Sequence, residues 1–381
     1  MELITRILED QLIKSLIPQK VVILLGPRRV GKTVLIKQVI ERLQEPYLLL
    51  NGEDFSVVEI LSRRSVQHYK NLLGDKRVLL IDEAQKIPEI GKVLKLMVDE
   101  IVGIRILVTG SSAFDIDKYT GEPLTGRKKT FNLYPLSEAE YDQIETLIEK
   151  RDNLRERLIY GNYPELIHIK DREDKSDYLR EIVNSYLLKD ILSYENIKNS
   201  DKILSLLRLI AFQIGGEVSY QELGKQLSMS KNTVEKYLDL LSKVYVLHKV
   251  GGFSRNLRKE VTKSSKWYFY DNGLRNLIIA NLNPIELRND MGQLWENYII
   301  SERLKYQKYN RKVVNNYFWR TYDQQELDWL EEREGKLYGY EFKWNARKRV
   351  RAPKGWETNY PESEFKVINP ENYLEWISDN K

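Results

Sequence analysis

The segment that decides the fold reads Val21-Val-Ile-Leu-Leu-Gly26-Pro-Arg-Arg-Val-Gly31-Lys32-Thr33. Its apolar half predicts a short buried strand, and its second half matches the pattern G-x-x-x-x-G-K-[ST] at the point where a helix begins. Glycines let backbone N–H groups surround phosphates at a helix N-terminus, where the helix dipole also favours anions. The residues predicted to bind nucleotide phosphates are Gly26, Pro27, Arg28, Arg29, Val30, Gly31, Lys32, Thr33 and Val34.

A second motif, Val78-Leu-Leu-Ile-Asp82-Glu83, supplies acids at the end of another apolar strand. Ligands bind at the carboxyl ends of strands in open α/β sheets, so these acids should lie near the glycine-rich loop. We expect Lys32 to reach the β- and γ-phosphates of ATP, the Thr33 hydroxyl to bind Mg²⁺, and Asp82 to hold Mg²⁺ through water. Glu83 is the candidate general base for the attacking water. The two motifs together predict Mg²⁺-dependent ATP hydrolysis.

Two further polar residues are candidates for this site. Ser111 follows the apolar run 104–109, where it can orient the water near the γ-phosphate; a helix N-cap is the alternative role. Arg127 precedes the run 129–133, and its guanidinium can stabilise transition-state charge, either in its own site or in that of a neighbouring copy. An ordinary surface arginine is the alternative. A role in a neighbour's site would require a homo-oligomer.

The pattern of apolar runs predicts the architecture. Strands at 21–25, 47–50, 78–81, 104–109 and about 129–133 alternate with helical patterns, which is typical of a parallel sheet covered on both faces. Residues 137–215 have a helical pattern almost throughout. Beyond residue 290 the sequence predicts one long helix at 292–306 and strands at 313–319, 326–331, 336–343 and 365–368.

The motifs "GPRRVGKT", "VLLIDEAQKI", "LVTGSS" and "LTGRKKTFNLYPLSEAEY" resemble the AAA-like ATPases of archaea and bacteria that carry a C-terminal domain of unknown function. "YGNYPE" at 160–165 and "YLLKDIL" at 186–192 match two further signatures of that family. Asn162 departs from the pattern, which usually has a second glycine there. The resemblance covers nearly the whole chain and implies a P-loop NTPase whose cellular role is uncharacterised.

Residues 219–246 have the spacing of a helix–turn–helix. Ser219-Tyr-Gln-Glu222 is a capping box, and a second helix is predicted from Lys231 with apolar positions at 234, 238, 241 and 244. Gly251-Gly252 and a strand at 267–270 would form a wing. Lys231, Asn232 and Lys236 lie on the polar side, where they can contact DNA. A winged helix without DNA contact remains the alternative, because Glu235 and Asp239 share that side.

The segment 326–343 predicts a hairpin whose register can be calculated. If Glu334-Gly335 is a two-residue turn, Asp328 lies opposite Glu341, and Glu326 lies opposite Lys343. Alternation then places these four residues on one face and Leu327, Trp329, Tyr340 and Phe342 on the other. Two carboxylates facing each other repel unless a cation lies between them.

This pattern resembles the PD-(D/E)xK nuclease superfamily, which has a restriction-endonuclease-like fold. The resemblance implies that Asp328 and Glu341 bind a second divalent metal, that Lys343 activates or stabilises, and that Glu296 is an added acid. A basic run at 343–354 adjoins this face and suits phosphate contact. An inert domain that keeps the fold, or an exposed ladder of ion pairs, is the alternative.

Composition excludes several classes of protein. The chain has 381 residues, 42% hydrophobic and 31% charged, with a net charge of +5, no cysteine and only three histidines. Disulfides, thiol nucleophiles and cysteine-bound zinc are therefore excluded, and a reducing cytoplasm is the expected location. The N-terminal residues do not predict a signal peptide, and no apolar run approaches the ~18 residues of a membrane-spanning helix.

These observations predict an α/β chain in four segments: an AAA-like P-loop ATPase at 1–136, a helical connector at 137–215, a winged helix at 216–285 and a nuclease-like domain at 286–381. The preferred function is ATP-dependent action on DNA, with the C-terminal domain binding or cutting it. The rival is a nucleotide-controlled switch whose C-terminal modules bind protein and cleave nothing.

Overall fold

The computed structural model of the protein describes residues 3–111, 124–187, 200–254 and 265–378. Its contacts divide the chain into two compact units. Unit 1 comprises residues 1–134 with the short segment Lys243–Tyr245, and unit 2 comprises residues 135–242 and 246–381. In the described residues, no helix is long and apolar enough to cross a membrane.

Unit 1 is a parallel α/β sheet with strand order β2-β3-β4-β1-β5. Every strand pair in it is parallel, as the sequence predicts. In chain order its elements are α1 (Leu8–Ser15), β1 (Val21–Leu25), α2 (Lys32–Leu43), β2 (Tyr47–Asn51), α3 (Phe55–Ser62), α4 (Val66–Leu73), β3 (Val78–Asp82), α5 (Ile90–Glu100), β4 (Arg105–Gly110) and β5 (Lys128–Asn132).

The centre of this sheet is covered on both faces, but its edge is not. All five residues of β1 and of β3 are buried. Strand β2 lies at the edge, and Tyr47 and Leu49 are 42% and 40% exposed. The phosphate loop and the acids directly follow the central strands, so both motifs lie at the carboxyl ends of the strands of this sheet.

Unit 2 begins with helices and continues into one mixed sheet. Its helices are α6 (Glu138–Tyr141), α7 (Leu147–Tyr160), α8 (Arg172–Glu181), α9 (Ser200–Phe212), α10 (Tyr220–Leu227), α11 (Lys231–Lys243), α12 (Asn272–Ile278), α13 (Met291–Tyr309), α14 (Lys354–Asn359) and α15 (Tyr373–Ser378). Residues 182–187 form a π-helix after α8. The helical character predicted for 137–215 is present in the described parts of that segment, whereas residues 188–192 of the "YLLKDIL" signature lie outside them.

The sheet of unit 2 has seven strands in the order β12-β11-β10-β9-β7-β8-β6. The strands are β6 (Glu217–Val218), β7 (Leu247–Gly252), β8 (Ser265–Phe269), β9 (Asn315–Arg320), β10 (Glu326–Arg333), β11 (Lys336–Phe342) and β12 (Glu364–Ile368). Strand β7 pairs in parallel with β9 through Gly251 and Gly252. Strands from both sides of position 285/286, where the sequence predicted a boundary between two domains, therefore belong to one sheet.

Helix α13 holds unit 2 together through buried charges. Arg303 donates to Glu331 of β10 from Nε to Oε1 at 2.6 Å and from Nη2 to Oε2 at 2.8 Å, and both side chains are almost fully buried. Glu302 accepts from Asn162 Nδ2 at 3.1 Å and from Lys305 Nζ at 2.6 Å. Removing one partner of such a pair would leave a buried charge uncompensated. Asn162, the departure from the family pattern, therefore contributes a structural hydrogen bond.

Candidate active site

The phosphate loop adopts a backbone that its two glycines permit. Gly31 has φ +92°, a conformation that strains residues with a side chain, and Lys32 begins α2 directly after it. A Cβ atom on Gly26 would lie 2.1 Å from the carbonyl oxygen of Leu133. Arg29 has φ +63° and is exposed at the turn of the loop. The N–H groups of this loop precede the N-terminus of a helix, which suits an anionic ligand.

Lys32 lies inside the loop. Its side chain is 5% exposed, and Nζ donates to the carbonyl oxygens of Gly26 and Pro27 at 3.0 Å each. The ammonium group is thus held where the loop would carry phosphates. Arg6, which no sequence motif singles out, also braces the loop: its Nη1 donates to Val30 O at 2.6 Å and its Nη2 to Tyr134 O at 2.7 Å.

Asp82 joins three elements at the carboxyl ends of the strands. Its Oδ2 accepts a hydrogen bond from Thr33 Oγ1 at 2.7 Å, and its Oδ1 accepts from the hydroxyl of Thr109 on β4. The hydroxyl and the carboxylate expected to hold Mg²⁺ are therefore adjacent. Hard oxygen ligands of this kind fit Mg²⁺, which is usually bound by one or two protein groups together with substrate phosphates.

Glu83 leaves the sheet immediately after Asp82 with φ +50°. Its N–H donates to Thr109 Oγ1 at 3.0 Å, and its Oε2 accepts from Gln85 Nε2 at 2.6 Å. The same amide nitrogen of Gln85 lies 3.3 Å from Ser111 Oγ. The structure thus brings Glu83 and Ser111 together through Gln85, which the sequence reasoning missed. The "DEAQ" motif, with an amide two residues after the acid, was the signal that could have revealed it.

Arg127 lies far from the carboxyl ends of the strands. Its carbonyl accepts from Val21 N at 2.8 Å, at the start of β1, and its guanidinium pairs with Asp99. The phosphate loop begins after the other end of the same strand, about 16 Å away for five residues at ~3.3 Å each. Arg127 therefore does not reach the nucleotide site of its own unit.

The predicted hairpin forms with the predicted register. Glu334 and Gly335 both have positive φ, as a type I′ turn requires, and the pairs run from Arg333↔Lys336 to Trp329↔Tyr340. Phe342 N–H donates to Asp328 Oδ2 at 2.8 Å. The register calculation is therefore confirmed from the turn to the Trp329↔Tyr340 pair.

One detail of the predicted faces is wrong. Leu327 does not share a face with Trp329: it packs with Leu330, Trp319 and Trp356. The pairing of β10 with β9 shifts register between Leu327 and Leu330, and this irregularity resets the alternation of side chains. Apolar alternation alone gives no sign of such a shift.

A cluster of four carboxylates and two lysines forms around this end of the hairpin. Lys343 Nζ donates to Glu341 Oε1 at 2.5 Å, while the buried Lys266 of β8 contacts Glu326 and lies 4.0 Å from Glu296. Tyr268 OH donates to Glu296 Oε1 at 2.6 Å. We call this set the carboxylate cluster; its members are Glu296, Glu326, Asp328, Glu341, Lys266 and Lys343.

Burial and mutual repulsion shift the pKa values in the carboxylate cluster. Burial, with a further contribution from Asp328, raises the pKa of Glu296 to about 8, and the same two causes raise the pKa of Glu341. Burial also raises the pKa of Asp328. For Lys266, burial opposes the charged form, but Glu296 and Glu326 outweigh it and raise its pKa.

In the carboxylate cluster, Lys266 pairs with Glu326 and Lys343 pairs with Glu341. Among the described residues, no three acidic or histidine side chains are grouped to hold an ion. The lysine ammonium groups instead supply the positive charge that facing carboxylates need. Lys266 directly precedes the predicted wing strand and lies 60 residues before Glu326, so the motif 326–343 alone did not reveal it.

Comparisons with known proteins agree with the geometry of the phosphate loop. A model of the AAA domain matches residues 18–142, a domain of unknown function (DUF8612) matches residues 151–286, and a domain of unknown function (DUF4143) matches residues 291–380. The chain therefore carries an AAA-type P-loop ATPase domain followed by a C-terminal DUF4143 domain, and it is an ATP hydrolase.

Similar proteins occur in bacteria and archaea. The uncharacterized protein Rv2008c of Mycobacterium tuberculosis is 27% identical over 85% of this chain and 70% of its own length. The uncharacterized protein MJ1544 of Methanocaldococcus jannaschii is 25% identical over 76% of this chain and 67% of its own length. The structure of the replication initiator DnaA bound to AMPPCP and single-stranded DNA aligns with 62% of this chain and 86% of its own, at 14% identity and a TM-score of 0.30.

The first prediction concerns the general base. Glu83→Gln should bind ATP but hydrolyse it at least ~10²-fold more slowly, because the water loses a proton acceptor. Lys32→Ala serves as the contrasting variant and should lose hydrolysis through loss of the phosphate cation. Steady-state phosphate release, with nucleotide binding measured separately, checks both. Normal turnover by Glu83→Gln would show that another group is the base.

The second prediction concerns pH. Since the pKa of Glu296 is raised in the folded protein from 4.5 to about 8, the native state retains a proton that the unfolded chain releases over that range. The free energy of unfolding should therefore fall as the pH rises from about 5 to 8, and Glu296→Gln should remove this part of the fall.

Thermal melts at pH 5.5 and 8.5 test this prediction. The melting temperature of the wild type should fall between pH 5.5 and pH 8.5, and that of Glu296→Gln should fall less. The exposed control Glu357→Gln should show the same fall as the wild type. An equal difference from the wild type at both pH values would contradict the assignment of the shift to Glu296.

Proposed function

We propose that this protein is a Mg²⁺-dependent ATPase that acts on DNA, with unit 1 hydrolysing ATP and unit 2 binding duplex DNA. The observation that carries the ATPase half is the 2.7 Å hydrogen bond between Thr33 Oγ1 and Asp82 Oδ2, beside the buried Lys32. Thr33 and Asp82 would hold Mg²⁺ there, and the ion would supply positive charge that offsets the negative charge developing during phosphoryl transfer.

The protein's own residues would then divide the remaining work. Lys32 would contact the β- and γ-phosphates, and Thr33 and Asp82 would position the metal. Glu83 would accept the proton of the attacking water, while Gln85, held between Glu83 and Ser111, would fix the direction of that carboxylate. The hydroxyl of Ser111 would complete the polar surface beside the γ-phosphate.

The helix–turn–helix supports the DNA half of the proposal. Helices α10 and α11 are joined by a tight turn in which Met229 N donates to Gly224 O at 2.8 Å, and a Cβ atom on Gly224 would lie 2.6 Å from Met229 O. Strands β7 and β8 follow as an antiparallel pair, which is the order of a winged helix. Residues 255–264 between them lie outside the described part of the chain.

The two sides of α11 have different characters. Val234, Leu238 and Leu241 are fully buried, whereas Lys231, Asn232 and Lys236 are exposed. A second helix presented in this way is suited to the major groove, with basic side chains on phosphates and an amide at base edges.

The rival function, a nucleotide-controlled switch that binds protein, is favoured by one observation. In the carboxylate cluster, Lys266 pairs with Glu326 and Lys343 pairs with Glu341, an arrangement compatible with a domain that keeps the fold and cleaves nothing. We therefore propose DNA binding without a cleavage step.

The third prediction tests DNA binding directly. The wild type should bind duplex DNA with an affinity that falls steeply with salt, because phosphate contacts release counterions. Lys231→Ala/Lys236→Ala should weaken binding at all sequences and flatten the salt slope by about one unit for each phosphate contact removed. Electrophoretic mobility shifts across a salt series measure both quantities.

The matched control is Lys336→Ala/Lys366→Ala, which removes the same charge from exposed positions on β11 and β12. No binding by the wild type, or equal losses in the two double variants, would overturn the DNA assignment and favour the switch.

Arg127 supports a proposal about assembly. Arg127 lies beside the amino end of β1, whereas its own phosphate loop follows the carboxyl end of that strand. We therefore propose that Arg127 acts in the site of a neighbouring copy. Arginines supplied by a neighbour stabilise the transition-state charge of phosphoryl transfer.

The fourth prediction follows from this arrangement. Mixing Arg127→Ala with Lys32→Ala should restore part of the ATPase activity that each variant lacks, because some interfaces then combine an intact loop with an intact arginine. Activity that is simply the sum of the two variants, or a fully active monomer in sedimentation, would exclude a role between copies.

A further inference from the structure

Unit 2 contains a cleft that none of the roles above uses. Its volume is about 580 Å³. One wall is α7, and the other is the start of the basic run that follows β11, with Glu371 at one side. The residues that line it include Arg151, Arg155, Trp344, Asn345, Arg347 and Glu371.

The cleft collects positive charge that the fold leaves largely uncompensated. Arg151 and Arg155 are one turn apart on α7, so their like charges repel each other. Arg155 pairs with Glu286 at 2.8 Å, but both side chains are 62% exposed, and such pairs contribute little. In the described part of the chain, no acid forms an ion pair with Arg151 or Arg347. Three guanidinium groups gathered in one concave site favour an anionic ligand.

An aromatic side chain lines the same cleft. Trp344 is partly exposed, and its ring lies 5.6 Å from that of Trp295 at an angle of 60°. Trp295 is fully buried in α13, so it fixes one side of the Trp344 ring. A ring held in this way, beside arginines, provides a platform on which a nucleobase can stack.

The basic surface extends beyond the cleft. Arg347 is followed by Lys348, Arg349 and Arg351, all of which are exposed. A single small anion would be satisfied by the guanidinium groups inside the cleft. A ligand with phosphates at regular intervals would also use the residues that follow.

We propose that this cleft binds single-stranded nucleic acid, with phosphates on Arg151, Arg155 and Arg347 and a base stacked on Trp344. The site is separate from the helix–turn–helix proposed to bind duplex DNA, and it needs neither ATP nor a metal. It gives unit 2 a second nucleic-acid surface, suited to the unpaired part of a DNA structure.

The test measures fluorescence anisotropy of a labelled thymidine oligonucleotide and of a labelled duplex over a salt series. The oligonucleotide should be longer than ~16 nucleotides, the upper end of the site size of a single OB-fold domain. Arg151→Gln/Arg155→Gln/Arg347→Gln should weaken binding of the single strand at least tenfold and reduce the salt slope by about two, at ~0.7 per phosphate contact. The matched control, Arg172→Gln/Arg180→Gln/Lys336→Gln, removes three exposed charges that do not line the cleft.

Trp344→Ala supplies an independent signature. It should weaken binding of the single strand about tenfold and leave the salt slope unchanged, because stacking releases no counterions. Unchanged ATPase activity and thermal melting of unit 2 would show that both cleft variants are folded. If Trp344→Ala proves unfolded, the arginine variant alone decides the result.

The proposal is overturned if the triple cleft variant binds the single strand as well as its control does. It is also overturned if inorganic phosphate at low millimolar concentration displaces the oligonucleotide completely at constant ionic strength, since the site would then be one for a free anion. Wild-type binding to the single strand but not to duplex would leave this inference intact and overturn the helix–turn–helix assignment. Binding to duplex alone would do the opposite.

Discussion

The contacts of the Asp82 carboxylate are the interaction on which the ATPase site depends. One oxygen accepts from Thr33 at the start of α2, and the other accepts from Thr109 inside β4. The following N–H, that of Glu83, points back to the same hydroxyl of Thr109 and to Asp82 itself. A single carboxylate thus fixes the distance between the phosphate loop and the candidate base. Positioning of this kind supplies most of the catalysis in phosphoryl transfer, in which the protein performs little covalent chemistry.

Unit 2 also contains buried carboxylates, and their charge is compensated by basic side chains. Carboxylates brought together in a buried place require positive charge, and either a metal or a basic side chain can provide it. Arg303 of α13 forms an ion pair with Glu331. In the carboxylate cluster, Lys266 and Lys343 form the ion pairs. A nuclease-like spacing of acids is therefore compatible with a cluster that needs no metal. The weakly compensated arginines lie elsewhere, in the cleft beside Trp344.

Local sequence predicted the elements whose determinants are local. The phosphate loop and the register of the hairpin follow from short motifs, because glycines and turn geometry act over a few residues. The parallel sheet of unit 1 follows from the alternation of apolar runs with helical patterns. Thr109 and Lys266 were missed because each acts through a partner brought near by folding. Gln85 was missed although the motif "DEAQ" places it two residues after Glu83. The continuous sheet through β7 and β9 was missed because pairing between distant strands has no signature in either strand alone. The shifted face of Leu327 depends on an irregularity opposite β9, which the hairpin sequence does not encode.

The most direct test of the role of Asp82 is the metal affinity of the ATP complex, measured by electron paramagnetic resonance of Mn²⁺ in place of Mg²⁺. In the wild type, Mn²⁺ should bind together with ATP at Thr33 and Asp82. We predict that Asp82→Asn, which keeps the size of the side chain, weakens Mn²⁺ binding about 10–100-fold while ATP still occupies the loop. Equal Mn²⁺ affinity in the wild type and in Asp82→Asn would contradict the claim that this carboxylate organises the site.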